Sequence, residues 1–174
     1  MSASVDSLRQ QAFAAASRGD HRAAVQALEQ ALSLGDDPDI RSRLAQARLF
    51  AGDIVGARSE ALTTSRSPRI GAPALDRLGT TLCRTQDYEQ GVALYRRAVA
   101  QAPSEPAFLR NLAWGAKYVG ALEEASSALH RALAIAPDDA QAWYSLSGLP
   151  DWAPTPTDVT ALDALARNAG RDPE

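Results

Sequence analysis

The chain has 174 residues, a net charge of -3, 45% hydrophobic and 22% charged residues, which is the size and make-up of one ordinary domain. Its slight acidity argues against a nucleic-acid partner, whose footprint would be basic, and no run reaches the eighteen or so apolar residues a membrane-spanning helix needs. One cysteine, Cys83, excludes an internal disulfide, and two histidines argue against a histidine-rich metal centre.

Alanine (36) and leucine (20) dominate, while Val, Ile and Thr are scarce over most of the chain. Alanine has the best intrinsic helix propensity and leucine follows closely, so the chain reads as all-α. Apolar spacing and turn residues predict paired helices over 5-18 and 21-34, 38-51 and 54-65, 72-84 and 88-101, and 106-118 and 122-135. The stretch 65-73, SRSPRIGAP, reads as a loose connection. Pro103 and Pro137 end the second helix of the third and fourth pairs. A ninth helix starts near Ala140 and stops before Pro150. Thr155-Pro156-Thr157-Asp158 then opens a last helix, with Thr155 as N-cap, Asp158 completing a capping box and Gly170 as the stop. Its stripe of Val159, Leu162, Leu165 and Ala166 is expected to cover the exposed end of the preceding repeats.

Four strings align: ASRGDHRAAVQALEQAL (16-32), LFAGDIVGARSEAL (49-62), CRTQDYEQGVALYRRAV (83-99) and KYVGALEEASSALHRAL (117-133). Their turn positions, Gly19, Gly52, Gln86 and Gly120, are 33, 34 and 34 apart. Small residues recur on the first helices (Ala12, Ala45, Gly79, Ala113) and at the facing site of the second (Ala24, Ala57, Gly91, Ala125). Ala31, Ala98 and Ala132 follow seven residues on, with Thr64 as the deviant. Leu44, Leu78, Leu112 and Leu146 repeat at 34, and Leu8, Leu75, Leu109 and Trp143 share their face. Small side chains let two helix backbones approach, and the larger ones fill the space between pairs. The second pair is degenerate, with Arg41 where a large apolar residue is usual.

A helix–turn–helix period of 34 with these signature positions resembles the tetratricopeptide repeat family over about residues 5 to 149. The resemblance implies a right-handed α-α superhelix of about four repeats (5-37, 38-71, 72-105 and 106-139, together 1-139). A fifth-repeat helix, a Pro-rich turn and a capping helix fill 140-174. It also implies a concave face lined by the first helix of each pair. Spacing then selects the groove residues: Arg9 and Phe13; Arg43, Gln46 and Phe50; Arg77, Thr80 and Arg84; Arg110, Asn111, Trp114, Lys117 and Tyr118; and Tyr144 on the ninth helix. Arg offers planar donors for a carboxylate, and aromatics offer apolar area with a polar tip. Together they suit an extended peptide, with acidic side chains or a free C-terminus. Some members of the family hold a peptide C-terminus with a Lys/Asn clamp, a pattern this sequence does not reproduce.

No Gly-rich phosphate loop, HExxH motif or histidine-partnered nucleophile is present. No cofactor, metal or catalytic residue is expected, and Cys83 reads as a small apolar filler. His21 reads as a packing residue and His130 as solvated. The expected function is therefore a non-catalytic protein-interaction module in the cytoplasm, since MSASVDSLRQ carries no signal segment. Two other readings stand beside it. AQAWYSLSGL through DVTALDALARNAG resembles the junction in bacterial proteins that join such repeats to a C-terminal sulfotransferase domain. On that reading the chain is the N-terminal substrate-recruiting or regulatory region of a larger enzyme. The other is a self-associating scaffold, such as a homodimer.

Overall fold

The computed structural model describes residues 4–150 and 152–169. They form ten α-helices: α1 (Val5–Ser17), α2 (His21–Leu34), α3 (Pro38–Phe50), α4 (Ile54–Thr64), α5 (Ala72–Arg84), α6 (Tyr88–Gln101), α7 (Pro106–Tyr118), α8 (Leu122–Ile135), α9 (Ala140–Ser147) and α10 (Pro156–Ala169). No strand occurs among the described residues. The helices belong to two compact units, Met1–Pro103 and Ser104–Glu174. The predicted stop of the last helix, Gly170, lies outside the described residues.

The first unit holds three helical hairpins, α1/α2, α3/α4 and α5/α6, with α2 packed on α3 and both α3 and α4 packed on α5. The second holds the hairpin α7/α8, against which α9 packs. The turns inside these hairpins are built alike. Gly19, Gly52, Gln86 and Gly120 adopt left-handed backbone, at φ 78°, 88°, 68° and 74°. The N–H of the following residue then reaches back five residues, from Asp20 to Ala15, Asp53 to Arg48, Asp87 to Leu82 and Ala121 to Ala116, at 2.9 Å in every case. A Cβ is disfavoured in this conformation, which is why glycine fills three of the four turns. The second helix is capped at once where the next residue allows it. The carboxylates of Asp20 and Asp53 accept from the N–H groups of Ala23 and Gly56 at 3.0 and 2.9 Å.

The repeating positions are the core. Leu8, Leu44, Leu75, Leu78, Leu109, Leu112, Trp143 and Leu146 are all buried, as are the small residues that face them. The third hairpin shows why small residues are needed. A Cβ on Gly79 would stand 2.8 Å from the Tyr95 ring and 3.0 Å from the Gly91 carbonyl, and one on Gly91 would stand 2.4 Å from Cys83 Sγ. The tight approach makes room for Tyr95, whose buried ring donates its hydroxyl to Thr80 Oγ1 at 3.0 Å.

The degenerate second hairpin is held by charge where the others use leucine. Arg41 and Arg48 both donate to Glu60, at 2.9 and 3.3 Å, and Thr64 donates to the same carboxylate at 3.3 Å. Arg48 also reaches Glu29 on α2 at 2.9 Å. Arg41 and Thr64, two departures from the repeat pattern, thus meet on one acid.

Two expectations need adjustment. The connection 65–73 is anchored: Ile70 is buried, its carbonyl accepts from Gln101 Nε2 at 3.3 Å, and the Ser65 carbonyl accepts from Arg97 at 2.8 Å. Both donors lie on α6, so the joint is fastened to the hairpin that follows it. The last helix forms with its expected capping box, in which Asp158 accepts from the Thr155 N–H at 2.9 Å and Thr155 Oγ1 accepts from the Asp158 N–H at 3.2 Å. Its apolar stripe, however, stays largely uncovered, with Val159 46% and Leu162 36% exposed. The cap that the stripe promised is therefore incomplete among the described residues.

Candidate functional site

The first helices of the first unit converge on one carboxylate. Asp39, at the start of α3, accepts from Arg9 on α1 at 3.2 Å, from Arg43 one turn along α3 at 2.9 Å, and from Arg77 on α5 at 3.0 Å. Arg77 also donates to the buried Ser42 hydroxyl, which in turn donates to the Asp39 carbonyl at 2.7 Å. Burial pushes the Asp39 carboxyl up, but the hydrogen bond from Arg43 and the charge of Arg77 outweigh it and leave its pKa below the ordinary 3.8. Burial, then the nearby Arg43 charge, lowers the Arg77 pKa, with Asp39 opposing. Arg77 is therefore a strut between α3 and α5, its side chain only 15% exposed. Arg9 and Arg43 each spend one nitrogen on Asp39 and keep about two-fifths of their surface open.

Beside this cluster, α1, α2 and α3 line a cleft of about 610 Å³. Arg9, Phe13, His21, Arg43, Gln46 and Phe50 are among its larger side chains, and Leu28 and alanines from all three helices line it as well. Phe13 is 70% and Phe50 46% exposed. His21 stacks on Phe50 with ring centroids 5.1 Å apart, and the Arg84 guanidinium of α5 lies over the Phe50 ring, 5.5 Å from its centroid. The buried Nδ1 of His21 has no hydrogen-bond partner among the described residues.

The second unit carries a separate aromatic patch. Trp114 and Tyr118, one turn apart on α7, pack at 4.9 Å, and both are exposed. Lys117 lies between them in sequence and donates to the Gly148 carbonyl at 3.1 Å. Tyr144 on α9 is 80% exposed. Arg110 is tied to Asp139, whose other oxygen caps α9 through the N–H groups of Gln141 and Ala142 at 3.1 and 3.0 Å.

The residues singled out by spacing thus take several positions. Arg43, with Arg9, Phe13, Gln46 and Phe50, meets in the cleft of the first unit. Arg84 lies over the Phe50 ring. Arg77 and Arg110 are held in ion pairs that join helices, and Thr80 is taken up by Tyr95. Asn111 is half-buried on α7, while Trp114, Lys117, Tyr118 and Tyr144 face solvent in the second unit. Sequence reasoning assigned His21 to packing and missed its place in the cleft wall. The signal was available, since a polar ring stands where a large apolar residue usually opens the second helix. Cys83 is buried, and desolvation pushes its thiol up to about 11, with a Tyr95 hydrogen bond opposing, so it stays protonated at neutral pH. Among the described residues no helix is long and apolar enough to cross a membrane.

Antiparallel hairpins of this length, turn geometry and small-residue spacing define an all-α helical-repeat fold. Among solved structures, the chain is similar to the crystal structure of MamA protein, at 16% identity and TM-score 0.73 over 98% of this chain and 96% of that one. It is equally similar to MamA residues 41 to the end from Desulfovibrio magneticus RS-1, at 16% identity and TM-score 0.73 over 97% of both chains. It also matches the APC/C hetero-tetramer Cut9-Hcn1, at 15% identity and TM-score 0.70, over 85% of this chain and 30% of that chain. These likenesses establish the fold, which is the tetratricopeptide type that the period of 34 implied. No protein-family model and no curated protein matches the sequence.

Proposed function

We propose that the chain is a non-catalytic protein-interaction module, which holds a segment of another protein against the first helices of its hairpins. The observation that carries this reading is the cleft of the first unit, where Phe13 and Phe50 stay exposed although every repeat leucine nearby is buried. Two large rings left in water beside a formed cleft are what a partner would cover. The aromatic patch of Trp114, Tyr118 and Tyr144 gives the second unit a surface of similar character.

The test compares apolar-to-serine changes at exposed residues inside and outside the cleft. Phe13→Ser/Phe50→Ser removes both rings, and Val55→Ser removes an apolar residue that is also exposed but lies on α4, away from the cleft. Both variants should melt like the parent. Proteins retained from cell extract by the immobilised parent should be lost by the double variant and kept by Val55→Ser. Equal retention by all three would remove the cleft from the binding function.

A further inference from the structure

We infer that the cleft between α1 and α3 takes an acidic segment anchored by one aromatic or bulky aliphatic side chain. This rests on the interaction-module reading and adds the chemistry of the occupant.

Charge decides the class. The chain as a whole is acidic, at -3, yet the cleft is lined by Arg9 and Arg43 and by no Asp or Glu. The carboxylate beside it, Asp39, is shared among three guanidiniums, Arg9, Arg43 and Arg77, so it leaves a positive excess. Arg84, over Phe50, adds to that excess from α5. The Arg43 bond to Asp39 uses Nε alone, and the Arg9 bond uses one terminal nitrogen, so each keeps donors for an incoming carboxylate.

Shape decides the anchor. A volume of about 610 Å³ is ample for one large side chain and its backbone. Phe13 from α1 and Phe50 from α3 flank an alanine floor, which admits a ring or a branched chain and offers it stacking area.

Fluorescence anisotropy on the full chain tests this with labelled peptides in one Ser/Gly frame. One carries a phenylalanine flanked by glutamates, a second the same flanked by lysines, a third the same flanked by serines. The glutamate peptide should bind about tenfold more tightly than the lysine peptide, because like charges at an interface repel. Its affinity should fall by at least about threefold between roughly 50 and 300 mM salt. Arg9→Gln/Arg43→Gln should abolish the preference among peptides, read as the ratio of the glutamate to the lysine affinity. Gln46→Glu lies outside the Asp39 cluster and provides the same reading if the arginine variant does not fold; it should lower the ratio of the glutamate to the serine affinity about fivefold. Equal binding of all three peptides would overturn the acidic class and leave the module standing. A single-stranded oligonucleotide that bound more tightly than the glutamate peptide would also overturn it. If no peptide bound and Phe13→Ser/Phe50→Ser kept every retained protein, the inference and the module reading would fall together.

Discussion

Gln86 is the one residue other than glycine among the described positions with left-handed backbone, and it stands where three sister turns carry glycine. Left-handed backbone costs an L-residue roughly 1–2 kcal/mol, and glycine gives back part of that through the freedom it adds to the unfolded chain. Gln86→Gly should therefore raise stability by about 0.5–1 kcal/mol, read from urea unfolding. An unchanged midpoint would mean that the Gln86 side chain contributes something glycine cannot replace. Alignment alone located this position, since the turn falls on a fixed phase of the repeat. Asp39 is the opposite case. An acid in the first turn of a helix reads as a favourable charge near a helix N-terminus, and nothing local announces that three arginines from three helices will share it.

Between elements, that carboxylate ties Arg9 of α1 and Arg77 of α5 to α3. Asp39 has a lowered pKa in the folded chain, so its contribution is present above the ordinary value near 3.8 and is lost as pH falls through the lower folded value. Asp39→Asn should cost about 2 kcal/mol at neutral pH, in the range for hydrogen bonds to charged groups. The gap to the parent should start to narrow as pH falls below about 3.8 and should close only below the lowered folded value, where the folded carboxyl itself becomes neutral. Urea unfolding of both proteins across this range checks it, and a gap that persisted at low pH would show that Asp39 acts through shape instead of charge. The second hairpin follows similar logic. Arg41 and Thr64 look like decay of the repeat when each is compared with its own column. Glu60 makes them parts of one contact, and the column comparison missed it because the partners sit on different helices at unrelated phases.

At the scale of the whole molecule, stability resides in the hairpins and their buried leucines, not in the final helix. Leu112→Ala removes a side chain from the core between α7 and α8 and should cost about 2–5 kcal/mol. Leu162→Ala, on the uncovered stripe of α10, should cost less than about 1 kcal/mol. Thermal unfolding of the two variants side by side tests the contrast, and equal losses would show that α10 is a true cap. The helix map itself was readable because helical hairpins are local: their period, turn glycines, capping acids and small-residue contacts all lie within a few dozen residues. Burial of the leucine series followed from the same phase. Which surface residues remain available was not readable. Spacing put Arg43, Arg77 and Arg110 on equivalent faces, but all three enter ion pairs with Asp39 or Asp139, Arg43 stays the most exposed of them, and His21 joined the cleft through a ring on another helix. A repeating pattern of oily and small residues determines where chain folds back on itself, because each such residue answers to neighbours at fixed separation. The fate of a charged or aromatic tip is decided by whichever distant group the folded backbone carries to it.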